Sequence, residues 1–198
     1  MRVLILGSTV LSYRVAMAIQ ASVCHRVVGF LPSKKPTVEG PVGLICPPWD
    51  GERYDLRLSV QFDQRLEDDG VTWNLHTGIL GSEPSWGGCD ILYHTLKEGA
   101  SHQGLSFHKI TKDFDRGPLL STISYPVLKG DDVVALYGRM LAVGPSFAVN
   151  CLDLLAMVGL NAELPSSGKP RMFKRGKIAE EDREEYARTL KRLKEEYG

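Results

Sequence analysis

Residues 2 to 21 constrain the fold most. The apolar run Arg2-Val3-Leu4-Ile5-Leu6 stops at Gly7-Ser8-Thr9 and gives way to an alanine-containing segment that continues through Ala21. A short aliphatic run, a glycine and a segment of helical composition spell strand, tight turn and helix. That is the opening of an α/β unit, with the amides of a helix N-terminus exposed at the strand's carboxyl end. Further strands are predicted over Arg26 to Leu31, Leu56 to Phe62 and Val71 to Leu75. From Pro32 to Pro48 the chain is rich in proline and glycine and reads as loop. A full doubly wound half would place another helix and strand between residues 32 and 54, where little room remains. The predicted fold class is α/β: a mostly parallel twisted sheet flanked by helices, with an abbreviated N-terminal half.

The rest of the chain continues this pattern. A helix is predicted from about Cys89 to Glu98, ending at Gly99, and Gly104 to Ile110 and Leu119 to Tyr125 read as an antiparallel strand pair. Asp131 or Asp132 then caps a long apolar helix, with a kink or break expected at Gly144-Pro145. The stretch Pro165-Ser166-Ser167-Gly168-Lys169-Pro170 marks a tether. From Ile178 a charged helix carries a stripe of Tyr186, Leu190, Leu193 and Tyr197, with Glu184 and Arg188 paired across a turn. The expected division is a main domain over 1–160, a linker over 161–177 and a C-terminal helix over 178–198. That helix is a solvated element packed by one edge, or a contact in a homodimer.

Charge and cysteine usage exclude several classes. Lys+Arg and Asp+Glu both number 24, which leaves no electrostatic footprint for nucleic acid. The 4 cysteines, Cys24, Cys46, Cys89 and Cys151, form no Cys-x-x-Cys, so neither a metal site nor a disulfide framework is expected. The run ending at Leu6 is too short for a signal peptide, and Pro145, Asn150 and Asp153 interrupt the apolar stretch from Val143 to Val158. A cytoplasmic protein with no membrane partner is expected. His25, His94 and His102 have no partner visible in the sequence and read as surface residues, while Phe173-Lys174-Arg175-Gly176-Lys177 reads as a solvated basic cluster or a phosphate contact.

The chemistry lies in Trp73-Asn74-Leu75-His76 and Asp115-Arg116-Gly117-Pro118. An amide, an imidazole and a carboxylate are the parts needed to move an acyl group. The amide donates to a developing oxyanion, the imidazole handles the proton, and the carboxylate orients the imidazole. Between them stand Gly87-Gly88, the helix ending at Gly99, and Gly104-Leu105-Ser106-Phe107-His108. This series resembles the folate-dependent formyltransferase family over about residues 71–125, without a gap from Gly88 to Asp115. Three features depart from it. Thr77-Gly78-Ile79-Leu80-Gly81 replaces a turn with two prolines, Ser82-Glu83-Pro84-Ser85-Trp86 is longer than usual, and Gly87 stands where the family has arginine.

The resemblance implies transfer of a formyl group from 10-formyltetrahydrofolate to a primary amine of a small molecule, without a metal. Asn74, His76 and Asp115 would be catalytic. Gln61, Phe62 and Asp63, with Thr111, Asp113 and Gly117, would hold the folate. Gly7, Ser8 and Thr9 would lie near the acceptor, and His108 either lines the site or pairs with backbone in its strand. The favoured acceptor is a nucleotide-linked amino sugar, ahead of glycinamide ribonucleotide and transfer RNA. Alternatives are a formylfolate hydrolase and a non-catalytic binding module of the same fold.

Overall fold

The structure, a computed structural model, describes residues 1–82, 85–88, 90–173 and 178–198. The predicted helix start at Cys89, the Glu83-Pro84 step and the basic residues Lys174 to Lys177 lie outside the described residues. The chain folds as β1 (Arg2–Leu6), α1 (Val10–Ala21), β2 (Arg26–Leu31), β3 (Leu56–Val60) and β4 (Thr72–His76), then β5 (Trp86–Gly88) and α2 (Ile91–Lys97). It continues through β6 (His102–Lys109), β7 (Leu119–Pro126), α3 (Val133–Val158), β8 (Arg171–Phe173) and α4 (Arg183–Tyr197).

One sheet has the order β2-β1-β3-β4-β6-β7. Its first four strands run parallel, and β6 and β7 close it as an antiparallel pair. The class is the one the sequence predicts. β1 is buried on both faces: Val3 and Ile5 join the main core, while Leu4 and Leu6 join a smaller cluster with Val28. The unbroken apolar run of β1 follows from this, because alternate side chains point to opposite faces and both are covered.

The two faces are covered differently. Helices α1 and α3 pack against each other over the main core, which holds Leu11, Val15, Phe107, Leu136 and Met140. On the other face Leu4, Leu6 and Val28 are covered by Leu31, Trp49, Tyr54, Phe62 and Leu66. Between β2 and β3 the chain forms only a 3-10 turn at Val42–Leu44, so loop side chains do what a crossover helix would do. Trp49 and Tyr54 meet edge to face at 5.8 Å in that cover.

Asp132 caps α3 by accepting from the Ala135 N–H at 2.9 Å. The helix then runs unbroken through Pro145, which corrects the expected break. Proline leaves the Leu141 carbonyl without its intrahelical donor, but tertiary packing carries the helix across. At Gly144 an added Cβ would lie 2.9 Å from Leu11 Cδ1, so the absent side chain lets α1 approach closely. By length and composition alone α3 could cross a membrane; here Leu136, Met140, Phe147, Cys151 and Leu155 are buried in the fold. His25 is a second correction. It is buried, with Nε2 2.9 Å from Asp153 Oδ1 and Nδ1 3.1 Å from the N-terminal amine.

Residues 161–173 are not a free tether. β8 pairs in parallel with β5, the Leu119 N–H donates to the Pro165 carbonyl at 2.7 Å, and the Gly81 N–H donates to the Ser167 carbonyl at 3.1 Å. The α4 stripe packs as predicted. Leu193 is buried, Tyr186, Leu190 and Tyr197 lie against the core, and Glu184 and Arg188 approach to 3.9 Å.

Candidate active site

Register assembles the polar residues. In β4, Trp73 and Leu75 enter the main core, so Asn74 and His76 point to the opposite face. Antiparallel pairing sets Asn74 opposite His108 on β6, and Asn74 Nδ2 lies 3.2 Å from His108 Nε2. His108 donates from the other side of its ring to the Lys109 carbonyl at 3.0 Å. It therefore pairs with backbone and borders the site at once.

Asp115 joins these residues from the β6–β7 loop. Its Oδ1 lies 3.5 Å from both His76 Nδ1 and His108 Nε2, and its Oδ2 accepts the Gly88 N–H at 2.6 Å. His76 Nε2 donates to the Trp86 carbonyl at 2.9 Å. Both nitrogens of His76 thus face oxygen atoms. Burial alone would raise the Asp115 carboxyl. The His76 charge, the His108 contacts and the Gly88 N–H outweigh it and hold the carboxyl far below the usual carboxylate range.

Close approaches explain the glycines and the altered turn. A Cβ at Gly87 would lie 3.1 Å from Asp115 Oδ2 and 2.8 Å from Met172 Sδ; one at Gly78 would lie 2.7 Å from His76 Nε2. At Gly117 a Cβ would fall 1.8 Å from the Lys109 carbonyl oxygen. The proline-free turn after His76 is held by side-chain ties. Ser106 Oγ accepts the Leu80 N–H at 2.8 Å and donates to the Gly78 carbonyl at 2.7 Å, while Gln103 Nε2 donates to the Thr77 carbonyl at 2.9 Å. Asp115 itself has a φ of 51°. Buried Ser167 Oγ donates to its carbonyl at 3.0 Å. Sequence reasoning missed Ser167, Ser106 and Gln103, because no local signal shows which loop a distant side chain will hold.

A cavity of about 170 Å³ opens over Asn74, His76 and Asp115, walled by Phe62, Leu66 and Phe114 and also lined by Gln61 and Thr77. Of the residues expected at the folate, Gln61 and Phe62 line it. Thr111 and Asp113 line a smaller adjoining hollow with Arg65 and His108. Asp63 instead accepts from the backbone N–H groups of Lys34 and Lys35, and Gly117 packs against Lys109.

Gly7, Ser8 and Thr9 are not brought to the cavity. Ser8 and Thr9 are buried, Thr9 and Ser12 form a capping box, the Gly7 N–H donates to the Leu31 carbonyl, and the Gly40 N–H donates to the Ser8 carbonyl. The expected acceptor contact is spent on the fold. Two buried cysteines are poor nucleophiles: burial pushes the Cys46 thiol up to about 11 and the Cys151 thiol up to about 12.

Residues 61–152 match the family model described as formyl transferase. Methionyl-tRNA formyltransferase from Acidothermus cellulolyticus is 29% identical over 83 residues, 42% of this chain and 25% of that protein. The chain aligns with between 25% and 40% of the length of six curated relatives, all methionyl-tRNA formyltransferases. An N-formyltransferase from Helicobacter canadensis, in complex with folinic acid and dTDP-3-aminofucose, superposes with a TM-score of 0.72. It is 14% identical, over 89% of this chain and 72% of its own. Phosphoribosylglycinamide formyltransferase from Anaplasma phagocytophilum gives a TM-score of 0.65 at 18% identity, over 88% of this chain and 97% of its own. The fold is the one these structures share.

Proposed function

We propose that this chain, whose segment 61–152 belongs to the formyl transferase family, transfers a formyl group from 10-formyltetrahydrofolate to the primary amine of a small molecule. The observation that carries the reading is the convergence of Asn74, His76, His108 and Asp115 at the end of β4, with Asn74, His76 and Asp115 under one cavity with apolar walls. Phe62, Leu66 and Phe114 suit the flat faces of a folate ring, and the folinic acid in the Helicobacter canadensis structure supports a folate donor. The folate brings the formyl carbonyl; the chain supplies the rest.

Asn74 Nδ2 has a second N–H beyond its contact with His108, and it donates to the oxyanion that forms as the amine attacks. His76, fixed at Nε2 by the Trp86 carbonyl, presents Nδ1 toward Asp115 and carries the proton. Asp115, held below the usual carboxylate range and 3.5 Å from His76 Nδ1, orients the imidazole. A water or the amine itself, seated in the cavity over His76 and Asp115, relays the proton to the departing nitrogen.

The acceptor in this reading is an amino sugar. The Gly7, Thr9 and Val10 amides of the β1–α1 turn donate to the Leu31 carbonyl, the Ser12 hydroxyl and the Val38 carbonyl, which argues against a ribonucleotide phosphate gripped there. The test is an assay of 10-formyltetrahydrofolate consumption against amino sugars, their nucleotide-linked forms, glycinamide ribonucleotide and methionyl-tRNA. Amine-dependent turnover with a sugar is the expected result. Absence of both folinic acid binding and turnover overturns the reading, and formylation of the tRNA alone overturns the choice of acceptor.

A further inference from the structure

A second cavity of about 80 Å³ lies between α2, α3 and α4 and shares Gln61 and Thr77 with the cavity over the triad. Asp90, Tyr93, Tyr137 and Tyr186 line it. Asp90 Oδ1 accepts from the Tyr186 hydroxyl at 2.5 Å. Asp90 Oδ2 and Gln61 Oε1 are buried and meet no hydrogen-bond partner among the described residues. Burying such oxygens unpaired is costly, on the order of 1–3 kcal/mol each, so both want a donor.

The backbone points to the same place. Gln61, Asp90 and Asp115 are the non-glycine residues of positive φ among the described residues, at 51°, 58° and 51°. All three line these two adjoining cavities. Each such conformation costs roughly 1–2 kcal/mol, and residues held this way cluster where ligands are clamped. Asp115 is one of the three; the other two border the second cavity.

We propose that this cavity takes the hydroxyl-bearing edge of the acceptor, and that Asp90 and Gln61 hold the hydroxyl hydrogens of an amino sugar beside its reacting amine. The assignment rests on the formyl-transfer reading for the site as a whole. A carboxylate and an amide oxygen accept from O–H groups, and a carboxylate can take two neighbouring hydroxyls of one ring. Tyr93 and Tyr137, both buried in the core, form its apolar floor. The negative Asp90 repels an anionic group, so any phosphate of the acceptor lies outside this cavity. Tyr186, Thr189 and Leu190 make α4 one of its walls, so acceptor choice depends on a helix beyond the family-matched segment.

Ligand-observed NMR on the full chain, with folinic acid present, measures this independently of turnover. The probes are glucosamine, 3-amino-3-deoxyglucose, their nucleotide-linked forms, deoxy analogues lacking the hydroxyl next to the amine, and butane-1,4-diamine. Hydroxylated amines should bind at least tenfold more tightly than the deoxy analogues. Asp90→Asn, tolerated at positive φ, should weaken the hydroxylated amines about tenfold and leave folinic acid affinity within twofold. Equal binding of hydroxylated and deoxy amines, a preference for the diamine, no binding by any amine, or an unaffected Asp90→Asn each overturns the proposal. Failure of the formyl-transfer reading appears separately, as loss of folinic acid binding in the unaltered protein.

Discussion

Asp115 concentrates the electrostatics of the site in one side chain. It touches His76, His108 and the Gly88 amide from a backbone at positive φ. His76→Ala and Asp115→Asn should each lower formyl transfer by a factor on the order of a hundred or more, with far-UV circular dichroism unchanged. Asn74→Asp should be comparably damaging because it replaces a donor with an acceptor. The depressed Asp115 carboxyl also fixes a direction for acid stability. A folded-state value below the unfolded one, about 3.9, stabilises the fold fully above that value and is lost as pH falls through the folded one. Urea midpoints of the wild type and Asp115→Asn should therefore be compared as pH is lowered from about 5. Below about pH 4 the wild type should lose ground to the variant. A difference that grows in favour of the wild type on acidification would mean that the carboxyl is raised, contrary to the geometry.

At the scale of elements, the site is a junction of pieces distant in sequence. β4 presents Asn74 and His76, β6 presents His108, and the small β5–β8 sheet brings the Trp86 carbonyl and the Gly88 amide against them. The 161–173 segment locks that junction through Ser167, whose hydroxyl donates to the Asp115 carbonyl and whose N–H donates to Gly117. Ser167→Ala leaves a buried carbonyl without its donor and should cost about 1–3 kcal/mol of stability. It should also reduce formyl transfer while barely altering folinic acid affinity, as read by denaturant titration alongside kinetics. An activity equal to wild type at an unchanged midpoint would show that the loop keeps its conformation without Ser167.

Over the whole molecule, protection is uneven because the sheet is covered by helices on one face and by loops on part of the other. Central strands β3 and β4 have neighbours on both sides, whereas β2 and β7 are edges. Amide exchange should be slowest in β1, β3 and β4, and faster in β2, which lies under the Trp49–Tyr54 loop. α4 is joined to the main core through Leu193, 3% exposed, and through Arg192 on Asp132 at 2.8 Å. Leu193→Ala should destabilise the protein by about 2–3 kcal/mol, the lower part of the range for buried leucine truncation. Its measured midpoint should fall accordingly, and because α4 walls the second cavity, amine binding should weaken with it.

Local sequence determined the six strands of the main sheet, α1, the cap of α3, the α4 stripe and the fold class, because each depends on periodicity and turn chemistry within a few residues of itself. It also placed Asn74, His76 and Asp115 in one reading, since short motifs with fixed spacing survive when overall identity is low. Tertiary structure decided the remainder. Pro145 stayed inside α3 because packing against α1 outweighed its local penalty, and His25 was buried by a partner more than a hundred residues away. Gly7, Ser8 and Thr9 were sealed beneath residues 38–40, and the proline-rich stretch after Asn161 became a support for Asp115. Each outcome depends on which distant atoms arrive at less than 4 Å. Composition cannot encode that arrival, because it is fixed only when the sheet order brings the elements together.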